Sequence, residues 1–176
     1  YWTDSVKPIG FKKLDQDLMT DVLVIGGGIA GLTAAYCLLK AGRQVTLVED
    51  GLLGSGESGR TTAHLTAALD DRYYILEKTF GEEKAKLAAE SHSAAVDFIE
   101  SVVKEENIDC DFERVEGYLF VDPTDTKENI HKEFEASRRA GLKTDWLDQV
   151  PFLAAENGPC VVFPSQGQFH IMKYLH

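Results

Sequence analysis

The sequence predicts an α/β fold: a Rossmann-like unit on a parallel sheet, followed by a mixed α+β segment. Three observations predict it. Residues 22–25, VLVI, form a short run apolar on both faces, as a buried strand of a parallel sheet does. Residues 29–41, IAGLTAAYCLLKA, carry helix formers up to a stop at Gly42. Residues 44–49, QVTLVE, return to strand character at the spacing of one right-handed parallel crossover.

The turn between the first strand and the helix is Gly26-Gly27-Gly28-Ile29-Ala30-Gly31, a GxGxxG. Alone that pattern is weak; between a strand and a helix it has a mechanism. Gly26 permits a sharp turn, Gly28 lets backbone approach a pyrophosphate, and Gly31 lets helix and strand pack closely. The helix start, with Ile29 and Ala30, offers N–H groups and a partial positive charge to that anion. Glu49 ends the second strand, where a carboxylate accepts from ribose hydroxyls and repels a 2′-phosphate. Asp50 follows it. This unit fits the ADP half of FAD or of NAD and does not separate the two.

Residues 54–65, GSGESGRTTAHL, form a second polar loop. Its glycines allow close backbone approach, and Ser55, Ser58, Thr61 and Thr62 offer hydroxyls. Arg60, beside Gly59, offers a planar cationic fork suited to pyrophosphate. A plain NAD unit would proceed to its next helix and parallel strand. A second loop returning to the phosphates suits the longer cofactor, FAD.

Beyond the loop, residues 71–80 and 82–106 read as helices. In the second, Leu87, Ser91, Ala94, Ala95, Phe98 and Val102 are expected to form the apolar stripe. Residues 109–122 turn to strand character, with Gly117 as a bend or bulge. Residues 126–140 are helical, 143–147 and 160–163 are short strands, and Asn157-Gly158-Pro159 marks a turn. From Ile171 an amphipathic helical pattern begins and stops after six residues. With no initiator Met at the start, the sequence reads as part of a longer chain.

Composition bounds the function. A net charge of −11 disfavours nucleic acid as a partner. Cys37, Cys110 and Cys160 form no CxxC or CxH pattern, so no metal site is expected from this chain. An odd cysteine count without a secretory segment fits the reducing cytoplasm. No apolar run is long enough for a membrane helix. Cys37, in the apolar run of the first helix, is expected in the core. His92 and His131 read as surface or packing residues, and Tyr118, Phe120 and Trp146 as core or sheet. No Ser-His-Asp or GxSxG arrangement is present, so the catalytic residues are unassigned.

VLVIGGGIAGLTAAYCLLKAG…VTLVE followed by GSGESGRTTAHLT resembles the D-amino-acid-oxidase-like FAD-dependent oxidoreductases, the group of glycine and sarcosine oxidases. It is most similar to bacterial members with a C-terminal Rieske iron–sulfur domain. The YWTDS start, Gly117-Tyr118-Leu119-Phe120 and Phe163-Pro164…Gln168-Phe169-His170…Lys173-Tyr174-Leu175 share that resemblance.

The resemblance implies a Rossmann-like FAD/NAD(P)-binding unit of ββα-type three-layer form, incomplete here, with the start of a mixed α+β substrate domain. Residues 1–20 would be an arm, 21–65 the FAD-binding unit with its second phosphate loop, and 66–176 the lead into the substrate-binding part. Gly26, Gly28 and Gly31 would hold the FAD pyrophosphate and Glu49 the adenosine ribose. Arg60, Thr61 and Thr62 would run along the pyrophosphate towards the isoalloxazine. Ala63 and His64 complete the set, with His64 either facing the flavin or packing structurally. His170 either lines the substrate side or caps the helix after it.

The implied reaction is hydride transfer from a small amine or amino acid to the flavin. The family's C-terminal glycine-rich segment and the Rieske ligands do not occur in this sequence. Two other readings follow: an NAD-dependent oxidoreductase, and a nucleotide-binding fragment with no activity of its own that self-associates through an open sheet edge.

Overall fold

A computed structural model describes residues 2–152 and 158–176. The chain divides into two compact units: residues 1–63, 108–111 and 169–176 in one, and residues 64–107 and 112–168 in the other.

The first unit is built on β1 (Val22–Ile25), α1 (Ile29–Lys40) and β2 (Val45–Val48). The strands pair in parallel with Val22 opposite Val45 and Ile25 opposite Val48. Val24 faces α1, since a β-carbon on Gly31 would stand 3.4 Å from its Cγ1. By strand alternation Leu23 and Ile25 point the other way, and they are 54% and 81% exposed. The expectation that β1 is buried on both faces is therefore corrected: α1 covers one face only. Cys37 is likewise exposed and not in the core. Ala35 is the only buried residue of α1. Residues 169–176 add α5 (Ile171–Leu175) to this unit.

The second unit holds β3 (His64–Leu65), α2 (Tyr73–Phe80), α3 (Glu82–Glu105), β4 (Glu113–Phe120), α4 (Lys127–Arg139), β5 (Asp145–Leu147) and β6 (Cys160–Gln168). β6 is the hub of its antiparallel sheet. β4 lines one side of it; β3 and β5 pair with its two ends on the other. The core gathers Tyr73, Ala85, Ala89, Ile130, Ala136, Val161 and Phe163. Thr126 caps α4, its Oγ1 accepting from Asn129 N–H at 3.2 Å.

Three expectations shift here. The buried stripe of α3 is Ala85, Ala89, Val96, Ile99 and Val102, while Leu87 is 58% exposed. Small residues face the core because the helix packs close, and the larger Leu87 stands outside. β6 continues through Pro164 to Gln168. The register slips there: Glu116 of β4 stands opposite both Pro164 and Ser165. Proline has no N–H to donate, and a bulge is where the ladder does not ask for one. β4 begins at Glu113 because residues 108–111 leave the sheet for the first unit, where Cys110 C=O accepts from His170 N–H at 2.6 Å. The turn expected at 157–159 begins outside the described residues; its Gly158 has φ +68°.

Candidate functional site

The first unit concentrates its unusual backbone at the exit of β1. Gly26 has φ +104° and donates its N–H to Val48 C=O at 2.8 Å, which closes the strand pair. A β-carbon on Gly31 would lie 1.9 Å from the carbonyl oxygen of Gly26, so the first turn of α1 is pressed against the strand exit. Gly28 stands before α1 in extended conformation and supplies no side-chain cap. A β-carbon there would meet Ser58 Oγ at 3.1 Å. The first turn of α1 holds no acid. A twelve-residue helix thus directs its positive end, with Ile29 and Ala30 leading, at the glycine turn.

Glu49 laces this turn to the strand beside it. Its Oε2 accepts from Gly27 N–H at 2.5 Å and its Oε1 from Gly51 N–H at 2.9 Å. Those two bonds, Gly27 first, hold the carboxyl below its usual range, so it is ionised. Each oxygen keeps a second lone pair, enough to accept from vicinal hydroxyls of a ribose. Asp50 follows, exposed. Gly27 is buried, and a β-carbon there would strike Leu53 Cδ2 at 2.5 Å.

The second loop is anchored to the first. Gly54, with φ +68°, donates to Gly27 C=O at 2.9 Å. Residues Glu57–Arg60 form one 3-10 turn. Within it Ser58 Oγ accepts from Ile29 N–H at 3.0 Å and so caps α1 from 29 positions away. Gly59 packs against Gly54, where a β-carbon would lie 2.6 Å from the Gly54 carbonyl. Arg60 pairs with Glu57 at 3.2 Å, the two side chains 70% and 92% exposed. Thr61 Oγ1 accepts from Ala63 N–H at 3.1 Å, and Thr62 is exposed. Ala63 is buried with φ +62°, a left-handed backbone that alanine seldom adopts. His64 opens β3 in the second unit, opposite Gln168.

The structure brings Gly26, Gly28, Ile29, Ala30, Gly31 and Glu49 together around one turn, with the second loop bound to it through Gly54 and Ser58. Two contributors escaped sequence reasoning. Gly27 was the unremarked middle glycine, although three in a row signal a backbone with no room on either side. Leu53 fills the space that Gly27 leaves. Ser58 acts as an acceptor for a helix N–H. His170 caps α5: its Nδ1 accepts from Lys173 N–H at 3.2 Å.

A glycine turn between parallel strand and helix, an acid-free helix start and an acid at the next strand's end define a Rossmann-type dinucleotide-binding unit. The sequence model of the family described as FAD dependent oxidoreductase matches residues 21–176, and the chain belongs to that family. The chain is 35% identical over 175 residues to YhfW of Bacillus subtilis, whose name describes a Rieske 2Fe-2S iron-sulfur protein. That match covers 99% of this chain and 34% of the relative. Gamma-glutamylputrescine oxidoreductase of Escherichia coli is 31% identical over 121 residues, covering 69% and 28%. The chain thus spans about a third of the length of the curated relatives it matches.

Among solved structures, an L-amino acid deaminase from Proteus myxofaciens has a TM-score of 0.73 at 14% identity, over 96% of this chain and 38% of its own. Glycine oxidase from Geobacillus kaustophilus has 0.69 at 20%, over 89% and 42%. These likenesses concern the fold. Among the described residues no helix is long and apolar enough to cross a membrane.

Proposed function

We propose that the protein is an FAD-dependent oxidoreductase acting on a small amine or amino acid, and that this chain holds the ADP half of the cofactor. The observation that carries this reading is the pairing of an acid-free α1 start, pressed close to the exit of β1, with the ionised Glu49 beside it. Gly26 and Gly28 set no side chain against the pyrophosphate, and Gly31 lets α1 lie close on β1; at the positive end of α1, Ile29 N–H is held by Ser58 Oγ and Ala30 stands next to it. Glu49, with Asp50 next to it, accepts from the adenosine ribose. The second loop, from Gly59 and Arg60 through Thr61, Thr62 and Ala63 to His64, runs towards the remainder of the cofactor. To reach phosphate, Arg60 exchanges Glu57 for the stronger anion, a small cost at so exposed a pair. When bound, FAD supplies a flavin ring that accepts hydride.

The substrate class is supported by the names of the relatives, an oxidoreductase of gamma-glutamylputrescine among them. The name of YhfW supports a Rieske domain as a partner in the whole protein. Three free cysteines support a cytoplasmic setting. A second reading, a nucleotide-binding fragment without activity of its own that self-associates through its sheet edge, draws on the two-stranded β1–β2 sheet, whose outer edges pair with no strand among the described residues.

Equilibrium dialysis against FAD and NAD tests the main reading. The expected result is flavin absorbance that stays with the protein and is released on denaturation, with Glu49→Ala weakening uptake at least tenfold. Preference for NAD over FAD overturns it.

A further inference from the structure

The first residues of the chain hold the second loop in place. Trp2 Nε1 donates to Thr61 C=O at 2.7 Å. Thr3 Cγ2 lies 3.3 Å from the space a β-carbon on Gly59 would occupy. The Trp2 ring meets His170 edge-on, centroids 4.8 Å apart at 71°. Ser5 Oγ sits 2.7 Å from His170 Nε2 and donates to Trp2 C=O at 2.6 Å. Because His170 Nδ1 already accepts from Lys173 N–H, the imidazole proton belongs on Nε2 and is given to Ser5. His170 N–H is in turn fixed on Cys110 C=O at 2.6 Å. These bonds run in one direction, from the imidazole N–H through Ser5 Oγ to Trp2 C=O.

The cluster grips two neighbours of Ser58. Gly59 is flanked by Thr3 and Gly54; Thr61 hangs from Trp2. Ser58 lies in the same 3-10 turn and is the acceptor for Ile29 N–H at the start of α1. Residues 57–60 form a single turn, which is unstable without outside support.

We propose that Trp2 and Ser5 are positioning residues: a clasp that sets the Glu57–Ala63 loop, and through Ser58 the start of α1, in the geometry that receives the cofactor. The consequence for the cofactor rests on the FAD reading above; the positioning of Ser58 does not.

Hydrogen exchange and FAD titration of the protein with Trp2→Ala, Trp2→Phe and Ser5→Ala test it. In Trp2→Ala, exchange in segments 26–31 and 54–63 rises about tenfold, while the α4 segment keeps its wild-type rate. Trp2→Phe keeps the ring against His170 and loses the N–H, so it falls between wild type and Trp2→Ala. Ser5→Ala, which leaves the Trp2 donor in place, also raises exchange at 54–63. FAD affinity falls at least fivefold in Trp2→Ala, with Trp2→Phe again intermediate.

Unchanged exchange at 54–63 in both Trp2 variants overturns the clasp. So does an equal rise in 54–63 and α4, which would make Trp2 a general stabiliser. A wild-type protein that takes up no FAD, with exchange at 54–63 still rising in Trp2→Ala, upholds the clasp and refutes the FAD reading instead.

Discussion

The carbonyl oxygen of Gly26 stands 1.9 Å from the point where Gly31 would carry a β-carbon. Four residues of chain separate the two, yet they define how closely α1 may lie on the end of β1. No flexible side chain is available to yield, because the obstacle is backbone.

Gly31→Ala is accordingly expected to push α1 off the strand. Overpacking of this kind costs about 1–3 kcal/mol. Gly28→Ala meets only Ser58 Oγ, at 3.1 Å, which a rotamer change relieves by giving up its bond to Ile29 N–H, a smaller cost than moving backbone. Urea unfolding should rank the stabilities wild type, Gly28→Ala, Gly31→Ala. A Gly31→Ala protein as stable as wild type would contradict the close approach.

Ser58→Ala removes the acceptor for Ile29 N–H. Loss of a helix cap costs about 0.5–2 kcal/mol. The urea midpoint should fall with the slope unchanged, since the exposed surface on unfolding is the same. An unaltered midpoint would show that solvent serves the α1 start as well as Ser58 does.

Glu133, on α4, is 1% exposed. Its Oε2 accepts from Tyr74 N–H at 3.2 Å, while its Oε1 is buried without a partner. Burial pushes its carboxyl above the ordinary 4.5. The folded state therefore holds a proton that the unfolded state releases sooner. By linkage this contribution is fully present below the unfolded value and is lost as pH rises through the folded one. Glu133→Gln, which cannot ionise, should flatten that decline in urea titrations taken from pH 4.5 upward. Parallel curves for the two proteins would mean that folding leaves the Glu133 carboxyl unshifted.

The glycine turn, the acid after β2 and the order of the helices were legible because each depends on neighbours in sequence. Gly26 needs its left-handed backbone wherever the rest of the protein lies. Ser58 was legible as a polar residue but not as a cap, because its partner Ile29 is 29 positions away and only the fold brings them together. The α3 stripe was misplaced by anchoring its three-and-four spacing on Leu87; of the residues expected in it, only Val102 is buried. Ala85 and Ala89 are buried because they are small, and one-dimensional hydrophobicity undervalues that. The strand expected at 160–163 runs on through Pro164, and the bulge opposite Glu116 that accommodates the proline depends on the partner β4. The exposure of Leu23, Ile25 and Cys37 could not be inferred from apolar character, which states a preference for burial and not what supplies it.

The dependence of the second unit on β6 bears on how it is made. β3, β4 and β5 each pair with β6, and among the described residues none of them pairs with another. During synthesis His64 emerges about a hundred residues before its ladder partner Gln168. At ordinary elongation rates that is a wait on the order of 5–20 s. Helices close their own hydrogen bonds and can form in the interval; β3, β4 and β5 assemble around β6 once that strand has left the ribosome. Until then three strands have unpaired edges, and Tyr73, Val161 and Phe163 have yet to meet in one core.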